Sequence, residues 1–435
     1  MEISEENQKN SLIKWRRTLH QIPEVGFTEF QTTYFLAKML DELGWTVTVG
    51  KEVMNEEARY GVPRSNVLEA SKHRARNAGI PEAFLEKLAG GFTGVVATLD
   101  SGRTGQHAAL RFDIDALPID ETTNENHLPN REGFASTHPG EMHACGHDAH
   151  AAIGLGVAQK LSSELPKWNG KVTLLFQPAE EGSRGAKAMV ANGWLDGVDL
   201  FLSGHVGIRS LAVGQVAASS DQILATTKLD VTFKGVAAHA GVEPEKGKNA
   251  LLAAASAAVQ LLSLPKHPGG TTRLNVGSMK AGRGRNIIPD EAVMEVETRG
   301  ETTILNQWVV TQAEHIIREA AQQYEVEVLI DYVGEGETAA SDLSFAPLLE
   351  RAAENSGIIT EVFPVQPLGG SEDASVMMNY VRKKGGKATY MIFGTPLASG
   401  HHQPDFDIDE HVLQVGVDVY TRLIYQTSKE LKENE

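Results

Sequence analysis

Residues 151–176 read AAIGLGVAQKLSSELPKWNGKVTLLF: a helical run, Ala151–Leu161, followed by Val172-Thr-Leu-Leu-Phe176, an apolar run of strand length. A second strand-length run, Ala108–Ile114, precedes that helix, so helix and strand alternate here. The same alternation extends outward. Ser11–His20 and Thr28–Leu43 have helical spacing, the second stopping at Gly44, and Trp45–Val49 reads as a short strand. Thr93–Leu99 and Leu200–Leu202 add further strands. The polar stretch from Lys51 to Gly90 carries one expected helix, Pro81–Leu88. Strands alternating with helices predict an α/β fold with a mostly parallel, doubly wound sheet.

The pattern changes near Ala218. Thr226–Phe233 alternates apolar and polar residues, as a half-exposed strand does. A helix (Asn249–Leu264), strands Arg273–Met279 and Ala292–Thr298, a helix (Leu305–Tyr324) and a strand (Glu327–Tyr332) complete a βαββαβ order. From Glu337 the α/β pattern returns, with helix Ser344–Ser356, strand Ala388–Phe393 and a last helix after Glu410. Residues 220–333 therefore read as an inserted α+β domain, and residues 1–219 and 334–435 as the two parts of one catalytic domain.

Composition narrows the function classes. The 435 residues are 41% hydrophobic and 22% charged, with a formal charge of −17. That charge argues against nucleic acid and against an anionic membrane surface, both of which need a Lys/Arg face. No run of about 18 apolar residues suggests a membrane span. The polar start, MEISEENQKN, is unlike a secretory signal, so a cytoplasmic location is expected. The single cysteine, Cys145, excludes an intrachain disulfide. Alone, it would be read as a small buried hydrophobe.

Its surroundings change that reading. Residues able to bind metal gather where the expected strands end: Arg111-Phe-Asp-Ile-Asp115, Cys145 with His147, Gln177-Pro-Ala-Glu-Glu-Gly182, Ser203-Gly-His205 and Gly400-His-His402. Sites in open α/β sheets form at the carboxyl ends of strands. Any one cluster could be a turn or a solvated pair; five at one sheet edge point to a metal site. Gly146 allows the chain to turn Cys145 and His147 to the same side.

The segments ALRFDIDALP, MHACGHDAH, FQPAEEG, FKGVAAHAG, GRNIIP, GGSEDA and GHHQPDFDIDE resemble the amidohydrolase branch of the M20 metallopeptidases, in order from about Trp15 to His411. The resemblance implies two divalent metal ions, zinc or manganese. Cys145 would bridge them as a thiolate, with His147, Glu181, His205 and His402 as the remaining ligands. His401 is the alternative to His402. Glu180 would be the general base, and the metals would activate water and polarise the amide carbonyl. Asp113, where the wider family has a histidine ligand, and Asp115 would stand behind the ligands and orient their imidazoles. His239, in the inserted domain, would complete the site of a partner chain, making the insertion a dimerisation domain.

The implied reaction is hydrolysis of an N-acyl or N-aroyl amino acid. KEVMNEEARYGVP, GGFTGVVATLDSG and GRGRNIIP resemble branch members acting on p-aminobenzoyl-glutamate, the expected substrate. The alternatives are a general N-acyl-amino-acid amidohydrolase and a non-catalytic subunit. Arg299, thirteen residues after Asn286, matches a carboxylate-binding spacing in the family. Arg285 is the candidate for a second acidic group, and Gly369 and Gly370 offer backbone N–H donors. A small anionic substrate is thus expected, together with a homodimer or a heterodimer formed with a related chain.

Overall fold

The computed structural model of the chain describes residues 5–433. In chain order the strands are β1 (Thr46–Val49), β2 (Val95–Asp100), β3 (His107–Asp113), β4 (Lys171–Gln177), β5 (Leu200–Val206), β6 (Gln215–Ala217), β7 (Ser220–Asp221), β8 (Ala225–Lys234), β9 (Thr272–Ala281), β10 (Glu291–Gly300), β11 (Glu327–Gly336), β12 (Glu361–Phe363), β13 (Gln366–Pro367) and β14 (Lys387–Phe393). They belong to two compact units. One comprises residues up to Asp221, Ala339–Leu368 and Asp373 onward; the other is Gln222–Thr338 with Gly369–Glu372.

The first unit is built on an eight-stranded sheet in the order β1-β2-β4-β3-β5-β14-β6-β12. Its centre, β4-β3-β5-β14, is parallel, as the helix–strand alternation predicts. Antiparallel pairing occurs on both flanks, between β2 and β4 and between β14 and β6. The central strands are buried along nearly their whole length, which explains why they read as continuous apolar runs. The helix His147–Ser163 is buried on almost every side, packed among the helices Glu5–His20 and Val412–Glu433 and the sheet. Because all central strands run the same way, β3, β4, β5 and β14 deliver their carboxyl ends to one edge.

The second unit is a four-stranded antiparallel sheet, β11-β8-β10-β9, with the βαββαβ order. Alternate residues Leu229, Val231 and Phe233 of β8 are buried with Met294 and Val296 of β10 beneath the helices Ala250–Leu262 and Thr303–Gln323. Asn249 and Thr302 cap these helices, accepting from Leu252 N–H and Leu305 N–H.

Several local expectations differ from the structure. β5 continues to Val206, so His205 lies inside a strand instead of after one. The polar stretch contains a thirteen-residue helix, Ser65–Asn77, besides the short Glu82–Leu85. Its buried stripe is Leu68, Ser71, Lys72 and Ala75, too polar to stand out as an amphipathic signal. Gly369–Glu372, placed by sequence with the catalytic part, groups with the second unit, where Leu224 N–H donates to the Gly370 carbonyl at 2.8 Å.

Candidate metal centre

The site grows from the carboxyl edge of the parallel strands. Asp113 ends β3, Asp115 follows it, and the chain returns at Cys145-Gly-His147 to start the helix His147–Ser163. Gly146 sits at φ +94°, and a Cβ there would lie 2.7 Å from Val206 Cγ2. Glycine is required on both counts, and the turn it allows puts Cys145 and His147 side by side. Cys145 Sγ, His147 and His205 form one group of potential ligand atoms within 4.8 Å of one another; Cys145, Glu181 and His402 form another, and His147, Glu180 and Glu181 a third.

The imidazoles are oriented by bonds on their far sides. His205 Nδ1 donates to the Val206 carbonyl at 2.7 Å, leaving Nε2 facing Cys145 Sγ at 3.4 Å. His147 Nδ1 lies 2.9 Å from the Asp115 carbonyl and 3.3 Å from its carboxylate, while Nε2 is buried without a hydrogen-bond partner. Glu181 Oε1 is likewise buried without one, 3.4 Å from His402 Nε2. A cation between them would satisfy both. Thiolate, imidazole and carboxylate together suit a divalent cation. The donor set fits.

Of the adjacent pair, His402 is the one that reaches this group. His401 Nε2 lies 3.3 Å from the Val206 carbonyl. His402 adopts φ +62°, a left-handed conformation that few side chains tolerate and that marks sites held by their surroundings.

The Glu180–Glu181 turn is held from its backbone. Asp115 Oδ1 and Oδ2 accept the N–H groups of Glu180 and Glu181 at 3.0 and 2.9 Å. One aspartate thus fixes a histidine and both glutamates. Beneath it, Glu29 accepts the Ala179 N–H at 2.9 Å and the Thr93 hydroxyl at 2.6 Å. Glu29 is fully buried, and burial together with the Asp115 charge pushes its carboxyl up to about 8. Sequence reading missed Glu29, since nothing local distinguishes it from a solvated helix-start glutamate.

Asp113 sits differently from expectation. Its histidine is His150, with Nδ1 at 2.5 Å, and the His150 Nε2 accepts the Val206 N–H at 3.0 Å, leaving that ring no nitrogen for a metal. His147 Nε2 is 3.8 Å from Asp113. Asp113 is also paired with Arg111 Nη1 at 2.7 Å, and Arg111 Nη2 reaches Asp373 at 2.9 Å. Burial opposes charge on Asp113, but His147, His150 and Arg111 outweigh it and hold the carboxyl well below its usual range. Burial, then Glu181, pushes the Cys145 thiol up. Burial would lower His147; Asp113 and Cys145 reverse this and raise it.

Within the second unit, the expected binding residues fall into two places. His239 and Ile287 form an isolated bridge, and the Ala240 N–H donates to the Asn286 carbonyl at 3.0 Å. His239, Arg285 and Asn286 are all exposed there. Arg299 lies near the far end of β10, roughly 26 Å along a strand rising about 3.3 Å per residue. There it pairs with Glu297 at 3.0 Å.

The model of peptidase family M20/M25/M40 matches residues 109–426. The chain is 46% identical over 408 residues to indole-3-acetyl-aspartic acid hydrolase of Enterobacter agglomerans, covering 94% of this chain and 93% of that protein. It is 44% identical over 412 residues to a subunit of the p-aminobenzoyl-glutamate hydrolase of Escherichia coli K12, covering 94% of each. The structure of an aminobenzoyl-glutamate utilization protein from Klebsiella pneumoniae superposes with a TM-score of 0.80 at 40% identity, covering 97% of both chains. Resembling these hydrolases over nearly its full length, the chain is a hydrolase acting on amide bonds and belongs to the peptidase family M20/M25/M40.

Proposed function

We propose that this chain hydrolyses the amide bond between an acyl or aroyl group and an acidic amino acid, with p-aminobenzoyl-glutamate as substrate. The observation that carries the reading is the convergence of Cys145, His147, Glu181, His205 and His402 around buried atoms that lack partners, with Glu180 beside them. The names of the two relatives, an aspartate conjugate and a glutamate conjugate, support an acidic amino acid.

In this reading Cys145, His147, Glu181, His205 and His402 would hold two divalent ions, zinc or manganese. When bound, the ions supply Lewis acidity toward the amide carbonyl and lower the pKa of water. Glu180 takes the proton from water and passes it to the leaving amine. Asp115 keeps Glu180 and Glu181 apart in direction by holding their backbones, so adjacent carboxylates serve different roles. Arg285 and Arg299 are the candidate partners of the substrate carboxylates, and Asn286, Gly369 and Gly370 are candidate polar contacts to the substrate.

The test is hydrolysis by the purified chain alone with metal added back, comparing p-aminobenzoyl-glutamate, N-acetyl amino acids and hippurate. Turnover of the neutral substrates but not of the glutamate conjugate would replace this reading with a general aminoacylase. Inactivity until a second, related chain is added would make the partner essential.

Such a partner, an identical or related chain, fits the second unit. The helix Ala250–Leu262 buries Ala253, Ala254, Ala257 and Leu261 yet also exposes Leu251, Leu252, Val259 and Leu262. Val259 is 68% exposed and Leu262 60%, so an apolar face remains for association. In a dimer built there, His239 and Asn286 would serve the partner's site. Val259→Glu with Leu262→Glu is expected to give a monomer by sedimentation and to lower kcat about 100-fold or more, as loss of a transition-state donor does. An active monomer would refute a shared site.

A further inference from the structure

The connection between β1 and β2 lies against the turn that carries Glu180 and Glu181, and the chemistry above makes no use of it. The Asn55 N–H donates to the Ala188 carbonyl at 2.9 Å, and Lys187 Nζ lies 2.6 Å from Tyr60 Oη. Between these ties stands Arg184. Its Nε donates to the Glu181 carbonyl at 2.9 Å and its Nη1 to the Gly61 carbonyl at 3.2 Å. The guanidinium carbon is 5.7 Å from the centroid of the Phe27 ring. A Cβ on Gly26 would fall 2.2 Å from Arg184 Nη2, so the arginine occupies space that only glycine leaves. Among the described residues no carboxylate pairs with Arg184; its donors go to backbone carbonyls.

The turn needs such support. Ala179 and Ser183, which bracket Glu180 and Glu181, have φ of +53° and +61°. Residues with a Cβ hold that conformation only when their surroundings impose it. Asp115 and Glu29 restrain the N–H groups of the turn, and Arg184 restrains the Glu181 carbonyl.

We propose that residues 51–62 are an outer brace for this turn, and that Arg184 is the positioning residue through which the brace fixes the Glu180 and Glu181 carboxylates. The inference rests on the roles assigned to those glutamates. A guanidinium suits the task because its planar fork serves two carbonyls at once, which a lysine ammonium on a flexible stem does poorly.

The test compares Arg184→Ala and Arg184→Lys in the full chain, using a substrate the unaltered enzyme turns over and a calorimetric Zn²⁺ titration without substrate. In Arg184→Ala, kcat should fall about 100-fold with KM nearly unchanged, the scale expected of a carboxylate misplaced by about 1 Å. Added guanidinium ion should recover part of that loss. Arg184→Lys, which keeps the charge and the fold, should also fall, without rescue, and both variants should bind Zn²⁺ more weakly. Unaltered kcat in Arg184→Lys overturns the proposal. So does a raised KM at constant kcat, which would mean that Arg184 touches substrate. Full activity in Glu180→Gln would instead overturn the glutamate assignment, and the Zn²⁺ titration alone would then decide the brace.

Discussion

Replacing Glu180 with glutamine is expected to lower kcat by about 10²–10⁴-fold, the range for removing a positioned general base, while the metal content of the purified protein stays the same. The two glutamates have different neighbours. Glu181 shares a ligand-distance group with Cys145 and His402, whereas Glu180 is grouped with His147 and Glu181, its Oε2 4.0 Å from His147 Nε2. Glutamine keeps the shape, so the backbone bonds from Glu180 and Glu181 to Asp115 survive and only the proton acceptor is lost. Turnover and metal content must be measured on the same preparation. Metal loss with Glu180→Gln, and retention with Glu181→Gln, would mean that the two roles are reversed.

What the sequence made legible was whatever depends on neighbours in the chain. Continuous apolar runs identified the central strands because burial on both faces leaves no alternation, and strict alternation identified β8 because one of its faces stays open. The Cys145–His147 pair could be read through Gly146, since a left-handed glycine is a local requirement. The resemblance put His402 ahead of His401, but no local physical signal in the sequence separates the two. The difference is made by the Val206 carbonyl, about two hundred positions away, which engages His401. His150 was ambiguous for the same reason: the groups that occupy both its nitrogens, Asp113 and the Val206 N–H, come from two other strands. Arg299 is a further case: β10 carries it to the other end of the unit from Asn286, so any role the two share cannot be read from their spacing alone.

Arg16 is the residue least visible in the sequence, and its loss should have the largest effect on stability. It lies in the first helix, fully buried, with Nε 2.8 Å from Asp148, Nη2 2.6 Å from Asp407 and Nη1 3.4 Å from Glu410. Asp148 follows His147, and Asp407 lies five residues beyond His402, so one guanidinium ties together both ligand-bearing segments. Arg16→Met would leave buried carboxylates uncompensated, at a cost of about 3–5 kcal/mol. Urea denaturation followed by tryptophan fluorescence, with Trp45 and Trp168 buried, would measure it. Arg16→Met with Asp148→Asn should recover part of the loss; no recovery would mean that packing, not charge, dominates. The same network sets a pH window. Burial would lower His20, but its bonds to Asp148 and Glu121 outweigh burial and raise it from 6.5 to about 9. Its contribution is therefore fully present below pH 6.5 and lost as pH rises through about 9. Burial opposes charge on Asp148 too, yet Arg16 and His20 hold it well below its usual range, so its contribution is lost only in acid. The urea midpoint of the unaltered chain should thus fall between pH 6.5 and 9. His20→Gln should flatten that fall, and an unchanged slope would show that His20 is neutral in the folded protein.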